Sequence, residues 1–322
     1  MAADWRPCAS LDALRLRANS LATIRQFFAT RGVLEVDTPA LINCAVTDVN
    51  LDSAVVRAGN RSGFLHTSPE YAMKRLLAAG SGDIYQLCHV VRGDESSRYH
   101  NPEFMLLEWY RVGWSMDELI DEVATLFNTV LETHGRAPRP LKRLRYQEAF
   151  QSHFNVDPLT ADHSELLSCA RQHGLAADPA STIPRDSLLD FLIGVALGPT
   201  LGQNEWLALT HYPASQAALA EIDPTDPRVA LRFEIYGGGI ELANGFQELA
   251  SAEQQRARFI ADNGERAARG LPTRELDERL LAALEHGLPA AAGVAAGFDR
   301  LMMVASGAAH IRDVLSFTTE QA

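Results

Sequence analysis

The stretch of sequence that decides the fold reads Arg92-Gly-Asp-Glu-Ser-Ser-Arg-Tyr-His-Asn-Pro-Glu-Phe-Met-Leu-Leu-Glu-Trp-Tyr110. An arginine ends one apolar run, a polar loop follows, and a second apolar run returns. The two runs, residues 84–91 and 104–112, have the length and composition of β-strands. The pattern therefore predicts two strands that face each other across a long polar loop.

The returning strand has one face of unusual composition. Because side chains alternate between the two faces of a strand, Phe104, Leu106, Glu108 and Tyr110 share one face. The opposite face, made by residues 105, 107 and 109, is plain core. An aromatic ring, a carboxylate and a phenol on one face are typical of a ligand site, but also of an amphipathic hairpin with a solvated face. The spacing alone leaves both interpretations open.

A second segment, Glu241-Leu-Ala-Asn-Gly-Phe-Gln-Glu248, carries two carboxylates seven residues apart. Such a pair can hold Mg²⁺ through phosphate oxygens. On a regular strand the two side chains point to opposite faces, so a shared site requires a break in the strand. Gly245 is the residue where we expect that break, as a bulge or bend. The alternative is a hairpin strand with solvent-facing acids.

A third segment, Gly293-Val-Ala-Ala-Gly-Phe-Asp-Arg300, predicts a strand of small residues that runs into a helix from Phe298. Small residues let a ligand approach the backbone closely. Arg300 then lies in the first turn of the helix, where the helix dipole disfavours a cation. A cation in this place needs a bound anion or a stacking partner. The alternative is a local pair with Asp299 and a solvated arginine.

Helices and short strands occupy most of the remaining chain. Apolar residues recur at helical spacing over residues 11–31 and 116–134, and Ser115 with Glu118 forms a predicted capping box for the second helix. A further helix opens at Ser68-Pro69-Glu70, with the serine at the cap. A hairpin of residues 231–236 and 240–244 turns on three glycines. The pattern predicts an α+β fold with a mainly antiparallel sheet flanked by helices.

Composition and charge narrow the class of protein. The chain has 322 residues, a formal net charge of −12 and a pI of about 5.3, which disfavours a nucleic-acid partner because phosphate backbones attract basic surfaces. No apolar run approaches the roughly 20 residues that cross a bilayer. Cys8, Cys44, Cys88 and Cys169 are too scattered to predict disulfides or a zinc site. We expect a cytoplasmic protein that does not bind membranes.

Taken together, the three segments resemble motifs 2 and 3 of the class II aminoacyl-tRNA synthetases. The similarity is closest to the lysyl type, through His-Asn-Pro-Glu-Phe at 100–104 and Glu-Leu-Ala-Asn-Gly-Phe-Gln-Glu-Leu at 241–249. Residues 32–39, Gly-Val-Leu-Glu-Val-Asp-Thr-Pro, resemble motif 1, which forms the dimer interface in the family. The resemblance extends from about residue 12 to residue 322. It implies a homodimer with one class II catalytic domain over residues 1–322.

Within the family, the chain resembles the freestanding lysyl-tRNA synthetase paralogues that modify elongation factor P. Lysyl-tRNA synthetases carry an N-terminal anticodon-binding domain, for which the sequence before residue 12 leaves no room. The resemblance implies activation of (R)-β-lysine with ATP and transfer to a lysine ε-amino group of elongation factor P, with no role for tRNA. Ala295 stands where lysyl-tRNA synthetases have glycine. Its methyl group narrows the pocket and favours the β-amino isomer, or else it is a packing residue.

The resemblance also assigns roles to individual residues. Arg92 and Arg300 are the expected catalytic residues, and Glu241 and Glu248 the expected Mg²⁺ ligands. The expected ATP-binding residues are Arg92, Asp94, Asn101, Phe104, Glu241, Leu242, Gly297 and Arg300. The expected residues for the amino acid are Ser68, Pro69, Glu70, Glu108, Tyr110, Glu248 and Ala295. Asp94 stands where the family has glutamate, one methylene longer.

Two other functions fit the same motifs. One is a truncated lysyl-tRNA synthetase that charges tRNA, which the acidic charge and Ala295 disfavour. The other is a non-catalytic synthetase paralogue that only binds a partner. Such paralogues tend to lose ATP-binding residues, whereas this sequence retains Arg92, Phe104, Glu241, Glu248 and Arg300.

Overall fold

The computed structural model describes residues 5–93, 96–176 and 183–322, and these residues form two compact units. The first unit contains Met1–Trp114, Thr125–Pro138 and Leu249–Ala322, and the second contains Ser115–Ala124 and Arg139–Glu248. The prediction of a single domain over residues 1–322 stays a prediction.

The secondary structure confirms the order of elements expected from the sequence. The strands are β1 (Leu34–Glu35), β2 (Leu41–Ile42), β3 (Val55–Ala58), β4 (Arg61–Leu65), β5 (Ile84–Val91), β6 (Glu103–Val112), β7 (Leu141–Arg145), β8 (Trp206–Pro213), β9 (Val229–Gly237), β10 (Ile240–Gln247) and β11 (Ala291–Gly297). The α-helices are α1 (Leu11–Ala29), α2 (Glu70–Ala78), α3 (Met116–Thr133), α4 (Tyr146–Phe154), α5 (His163–Gln172), α6 (Arg185–Phe191), α7 (Ala252–Ala268), α8 (Glu278–Gly287) and α9 (Phe298–Ser306). A π-helical segment occupies Leu192–Leu197, and short 3₁₀ turns occupy Gly198–Thr200, Ala214–Gln216 and Ile311–Val314.

The first unit is built on strands in the order β1-β5-β6-β11. β1 is parallel to β5, whereas β5 with β6 and β6 with β11 are antiparallel. One face of this sheet packs on α1, where the Phe28 ring stacks on Tyr85 with centroids 4.4 Å apart and meets Trp109 edge-on at 5.5 Å. A second, smaller sheet has the order β2-β4-β3. The predicted strand pair on either side of the polar loop is therefore confirmed.

Helix boundaries follow from local capping. Ser10 accepts a hydrogen bond from the Ala13 N–H at the start of α1. Ser115 and Glu118 form the predicted capping box of α3, since the Ser115 N–H donates to the Glu118 carboxylate (2.8 Å) and the Glu118 N–H donates to the Ser115 hydroxyl (3.3 Å). These reciprocal bonds satisfy N–H groups that the helix itself leaves without partners.

The second unit contains strands in the order β10-β9-β8-β7, antiparallel except for the parallel pair β7 and β8. The β9–β10 hairpin turns on two residues, Gly238 and Gly239, with φ of 64° and 74°. Positive φ at both positions is what a tight hairpin turn requires and what glycine adopts without strain. Mainly antiparallel strands flanked by helices in both units confirm the predicted α+β class.

The position of the break in the β10 strand was predicted wrongly. Gly245 pairs regularly with Phe233, and the register instead shifts between Glu241 and Ala243. Leu242 is therefore the extra residue of a β-bulge. A β-bulge needs one extra residue in the strand, but that residue does not have to be glycine. The side chain of Leu242 is buried.

Candidate active site

The face of β6 that holds Glu108 is extended by its two neighbouring strands. Gln86 of β5 and Ala295 of β11 both lie directly opposite Glu108, one on each side. Residues that pair directly across strands point to the same face of a sheet. On the other face, Leu107 and Trp109 are fully buried core, as the alternation predicted. Gln86, Glu108 and Ala295 thus place an amide, a carboxylate and a methyl group side by side on one face of the sheet.

Glu108 is a buried carboxylate held by two hydroxyl groups. Its side chain is 2% exposed. The Ser68 hydroxyl donates to Oε2 (2.7 Å) and the Tyr110 hydroxyl donates to Oε1 (2.7 Å). An ionised carboxylate accepts about four hydrogen bonds, so one carboxylate can hold several donors at once. A buried carboxylate is a group that can bind a cationic ligand, because opposite charges stabilise each other away from water.

The turn at Ser68-Pro69-Glu70 contributes to this site in a way that differs from the prediction. Pro69, not Ser68, occupies the N-cap of α2. The Ser68 hydroxyl accepts the Glu70 N–H (3.0 Å) while donating its own hydrogen to Glu108. Lys74, one helical turn along, is 1% exposed and pairs with Glu70 Oε1 at 2.6 Å. The serine therefore joins the start of α2 to the carboxylate on β6.

Arg92 and Phe104 lie together at the end of the β5–β6 pair. The guanidinium carbon of Arg92 lies 5.1 Å from the centroid of the Phe104 ring, and its Nε donates to the Thr67 carbonyl oxygen (3.3 Å). The Arg92 N–H donates to the Pro102 carbonyl oxygen (2.9 Å), which closes the polar loop. A cation beside an aromatic ring suits a nucleotide ligand, because the cation can bind a phosphate group and the ring can stack on the base.

Arg300 lies in the first turn of α9, as predicted, and its Nε donates to the Tyr99 carbonyl oxygen (3.3 Å). The alternative of a local pair with Asp299 is wrong. Asp299 is 1% exposed, forms an ion pair with Arg17 of α1, and accepts the Met105 N–H (2.8 Å). Gly297 caps α9, and a Cβ there would lie 3.7 Å from the Arg300 side chain. The buried aspartate fixes the turn from which Arg300 projects.

Asn101 uses its side chain within the protein. Its amide nitrogen donates to the Glu103 carbonyl oxygen (2.6 Å) and the Thr319 hydroxyl (3.1 Å), and its amide oxygen accepts the Thr319 N–H (3.2 Å). A contact with ATP by this residue stays a prediction. Asp94, the most uncertain of the predicted ATP-binding positions, lies outside the described residues.

In the second unit, the β10 bulge changes which face Glu241 occupies. Glu241 pairs with Tyr236, and Asn244 pairs with Glu234. Tyr236 and Glu234 share a face, so the bulge brings Glu241 to the face of Asn244 and Phe246. Glu248 follows the end of β10 and forms a bridge with Ala220. The bulge at Leu242 is a break of the kind that the two carboxylates need in order to share a face, and a shared site for them stays a prediction.

The chemistry of Glu241 and Glu248 fits a magnesium ion that is completed by phosphate. Glu241 is half-buried and Glu248 is 4% exposed. Mg²⁺ takes oxygen ligands and is usually held by one or two carboxylates together with substrate phosphates. Across residues 5–93, 96–176 and 183–322, no group of three or more histidine, cysteine or acidic side chains could hold a metal without such help.

Sequence reasoning missed two buried polar residues beside these groups, Gln86 and Lys74. Gln86 interrupts an apolar strand and Lys74 lies four residues after Glu70, which are the signals that could have identified them. Cys88 shares the face of Gln86; burial, reinforced by the charge of Glu108, raises its pKa to about 12. Gln86 adds an amide to the sheet face that holds Glu108, and Lys74 pairs with Glu70.

None of the helices in the described ranges has the length and apolar character needed to span a bilayer.

Comparison with known proteins identifies the family of this chain. The family described as tRNA synthetases class II (D, K and N) matches residues 2–321. A protein of Edwardsiella ictaluri named elongation factor P–(R)-β-lysine ligase is 49% identical over 326 residues, which cover 99% of each chain. Proteins of the same name from Klebsiella pneumoniae and Haemophilus influenzae are each 48% identical, covering 99% of this chain and 99% and 98% of their own. The chain therefore belongs to the class II aminoacyl-tRNA synthetase family.

Proposed function

We propose that this chain is an ATP-dependent ligase that activates (R)-β-lysine as an aminoacyl-adenylate and transfers it to a lysine ε-amino group of elongation factor P. The observation that carries the proposal is the buried Glu108 carboxylate, held by Ser68 and Tyr110 with Ala295 directly opposite. A buried anion on a sheet face beside an arginine–phenylalanine pair suits a cationic amino acid and a nucleotide. The full-length relatives named for this reaction support the same choice.

In the first step, a carboxylate oxygen of the amino acid attacks the α-phosphorus of ATP. The new bond gives the aminoacyl-adenylate, and the bond to pyrophosphate breaks. Arg92 binds the α-phosphate and stabilises the charge that develops on it. Phe104 stacks on one face of adenine and Arg300 on the other, which explains a cation in the first turn of α9. Asp94, Asn101, Glu241, Leu242 and Gly297 complete the proposed nucleotide-binding set.

The amino acid brings two ammonium groups, and each needs an acceptor once it leaves water. Glu108 and Tyr110 provide one such place on β6. Glu70, whose carboxylate is already partly balanced by Lys74, and Glu248 are the further proposed acceptors. Ser68 and Pro69 shape the turn beside them, and the Ala295 methyl group narrows the space next to Glu108.

We also propose Glu241 and Glu248 as ligands of Mg²⁺. When bound, the ion neutralises charge on the phosphates of ATP. In support of this proposal, the bulge at Leu242 brings Glu241 to the face of Asn244, and Glu248 lies directly after the end of β10.

In the second step, the acceptor's ε-amine in its neutral form attacks the carbonyl carbon of the adenylate. An amide bond forms, the bond to AMP breaks, and the amine loses a proton. No side-chain nucleophile is needed, so catalysis consists of positioning and electrostatic stabilisation. We propose that the protein acts as a cytoplasmic homodimer without tRNA. No observation favours the alternatives of tRNA charging or a non-catalytic paralogue.

Adenylation by the purified protein tests the first step. We expect ATP–pyrophosphate exchange that depends on (R)-β-lysine and is weaker with α-lysine. Arg300→Ala should abolish the exchange because adenine loses its stacking partner. Exchange near the wild-type rate in Arg300→Ala would refute the role of α9. Absence of exchange in the wild type with either amino acid would refute the proposed function.

A further inference from the structure

Gln86 is a buried side chain whose polar atoms the fold does not satisfy. Gln86 is 1% exposed, although it lies in the middle of β5. Within the described part of the chain, neither its amide oxygen nor its amide nitrogen meets a hydrogen-bond partner. The Cys88 thiol lies on the same face, and the Gln86 amide lowers the pKa of this thiol against the larger effect of burial. A thiol is a weak partner at most.

The position of Gln86 places this amide at the candidate substrate site. Gln86 pairs directly with Glu108, and Glu108 pairs directly with Ala295. Directly opposed residues have Cβ atoms about 5 Å apart and point to one face. The amide of Gln86 therefore lies beside the carboxylate that Ser68 and Tyr110 hold.

An unsatisfied buried amide is rare in folded proteins and calls for an explanation. A leucine or methionine at this place would fill the same volume without a desolvation cost. Stability therefore does not explain why glutamine is present. An ammonium group has only donors, so the amide oxygen is the atom of Gln86 that such a group can engage.

We propose that Gln86 is a substrate-binding residue, whose amide oxygen accepts a hydrogen bond from the ammonium group that Glu108 binds. This inference rests on the proposed function. A primary ammonium group has three N–H donors, and Glu108 with the Gln86 oxygen gives it one charged and one neutral acceptor. A second carboxylate at position 86 would instead face Glu108 as a like charge. Gln86 thereby adds selectivity for an ammonium group without adding net charge.

The test is the variant Gln86→Met, which keeps the length of the side chain and removes both polar atoms. We expect the KM for (R)-β-lysine to rise about tenfold, the scale of a hydrogen bond to a charged group. The KM for ATP should stay within twofold of wild type. Because the variant removes an unsatisfied group, its Tm should equal or exceed that of the wild type.

The matched control is Gln255→Met. Gln255 is also 1% exposed with an unsatisfied amide oxygen, but it lies on α7 and not on the sheet face. We expect Gln255→Met to leave the KM for (R)-β-lysine and the KM for ATP unchanged. An unchanged KM for (R)-β-lysine in Gln86→Met, an equal rise in the KM for ATP, or a Tm below wild type would each overturn the inference. Failure of the wild type to adenylate either lysine isomer would instead refute the proposed function.

Discussion

Ala295 and Glu108 lie directly opposite each other where β11 pairs with β6. Their Cβ atoms are expected about 5 Å apart, so the alanine methyl group borders the carboxylate that we propose binds an ammonium group. Ala295→Gly should raise kcat/KM for α-lysine relative to (R)-β-lysine by about tenfold, because one methyl group in a pocket is worth roughly that much. Steady-state adenylation with both isomers measures the ratio.

Ala296→Gly is the control for that variant, because residue 296 is the next on β11 and is buried on the opposite face. It should lower stability without changing the ratio between the isomers. If Ala295→Gly leaves the ratio unchanged, or if both variants shift it equally, Ala295 is a packing residue.

The C-terminal segment should support ATP binding through Asn101. Thr319→Val removes the hydroxyl that accepts the Asn101 amide and keeps the Thr319 N–H that donates back to it. Loss of one such bond is worth about 1 kcal/mol or less, so we expect a two- to fivefold rise in the KM for ATP and little change in that for (R)-β-lysine. Thr318→Val serves as the control. A rise confined to the amino acid would contradict this account.

Asp299→Asn should destabilise the protein strongly. The change removes the charge that balances Arg17, whose side chain is 12% exposed, while Asp299 itself is 1% exposed. Breaking a buried ion pair from one side costs about 3 kcal/mol or more. Urea unfolding should show that loss, whereas Asp12→Asn, in an exposed pair with Arg15, should cost less than about 0.5 kcal/mol. Similar losses in both variants would refute the role of Asp299.

Stability should fall as the pH drops from about 7 to 5. Burial lowers the pKa of both His66 and His134 below the usual value of 6.5, and their Nδ1 atoms are buried without partners among the described residues. The unfolded chain therefore binds protons in this window that the folded chain does not, and the free energy of unfolding decreases. His134→Gln should flatten the dependence of Tm on pH. A steeper dependence in that variant would contradict the assignment.

Local patterns predicted much of the fold because each depends on nearby residues. Strands β5 and β6, helix α3 and its cap at Ser115 follow from alternation, helical spacing and capping chemistry. The bulge at Leu242 could not be predicted in this way, because it depends on the register between β10 and β9. The order of elements in a sequence does not fix such a register.

The same limit applies to the candidate site. Glu108 and Tyr110 were identified because they share a face of one strand. Gln86 was missed because its role depends on the strand that lies beside it, and the bond between Asn101 and Thr319 joins residues that are far apart in the sequence. Contacts between residues far apart in sequence, such as Arg17 with Asp299, become visible only once the chain is folded.

The central claim concerns the acceptor, and one competition experiment tests it directly. Purified protein is given ATP and labelled (R)-β-lysine together with elongation factor P and bulk tRNA. We predict that the label appears on a lysine side chain of elongation factor P and that tRNA remains unlabelled. Labelled tRNA with unlabelled elongation factor P would contradict the account.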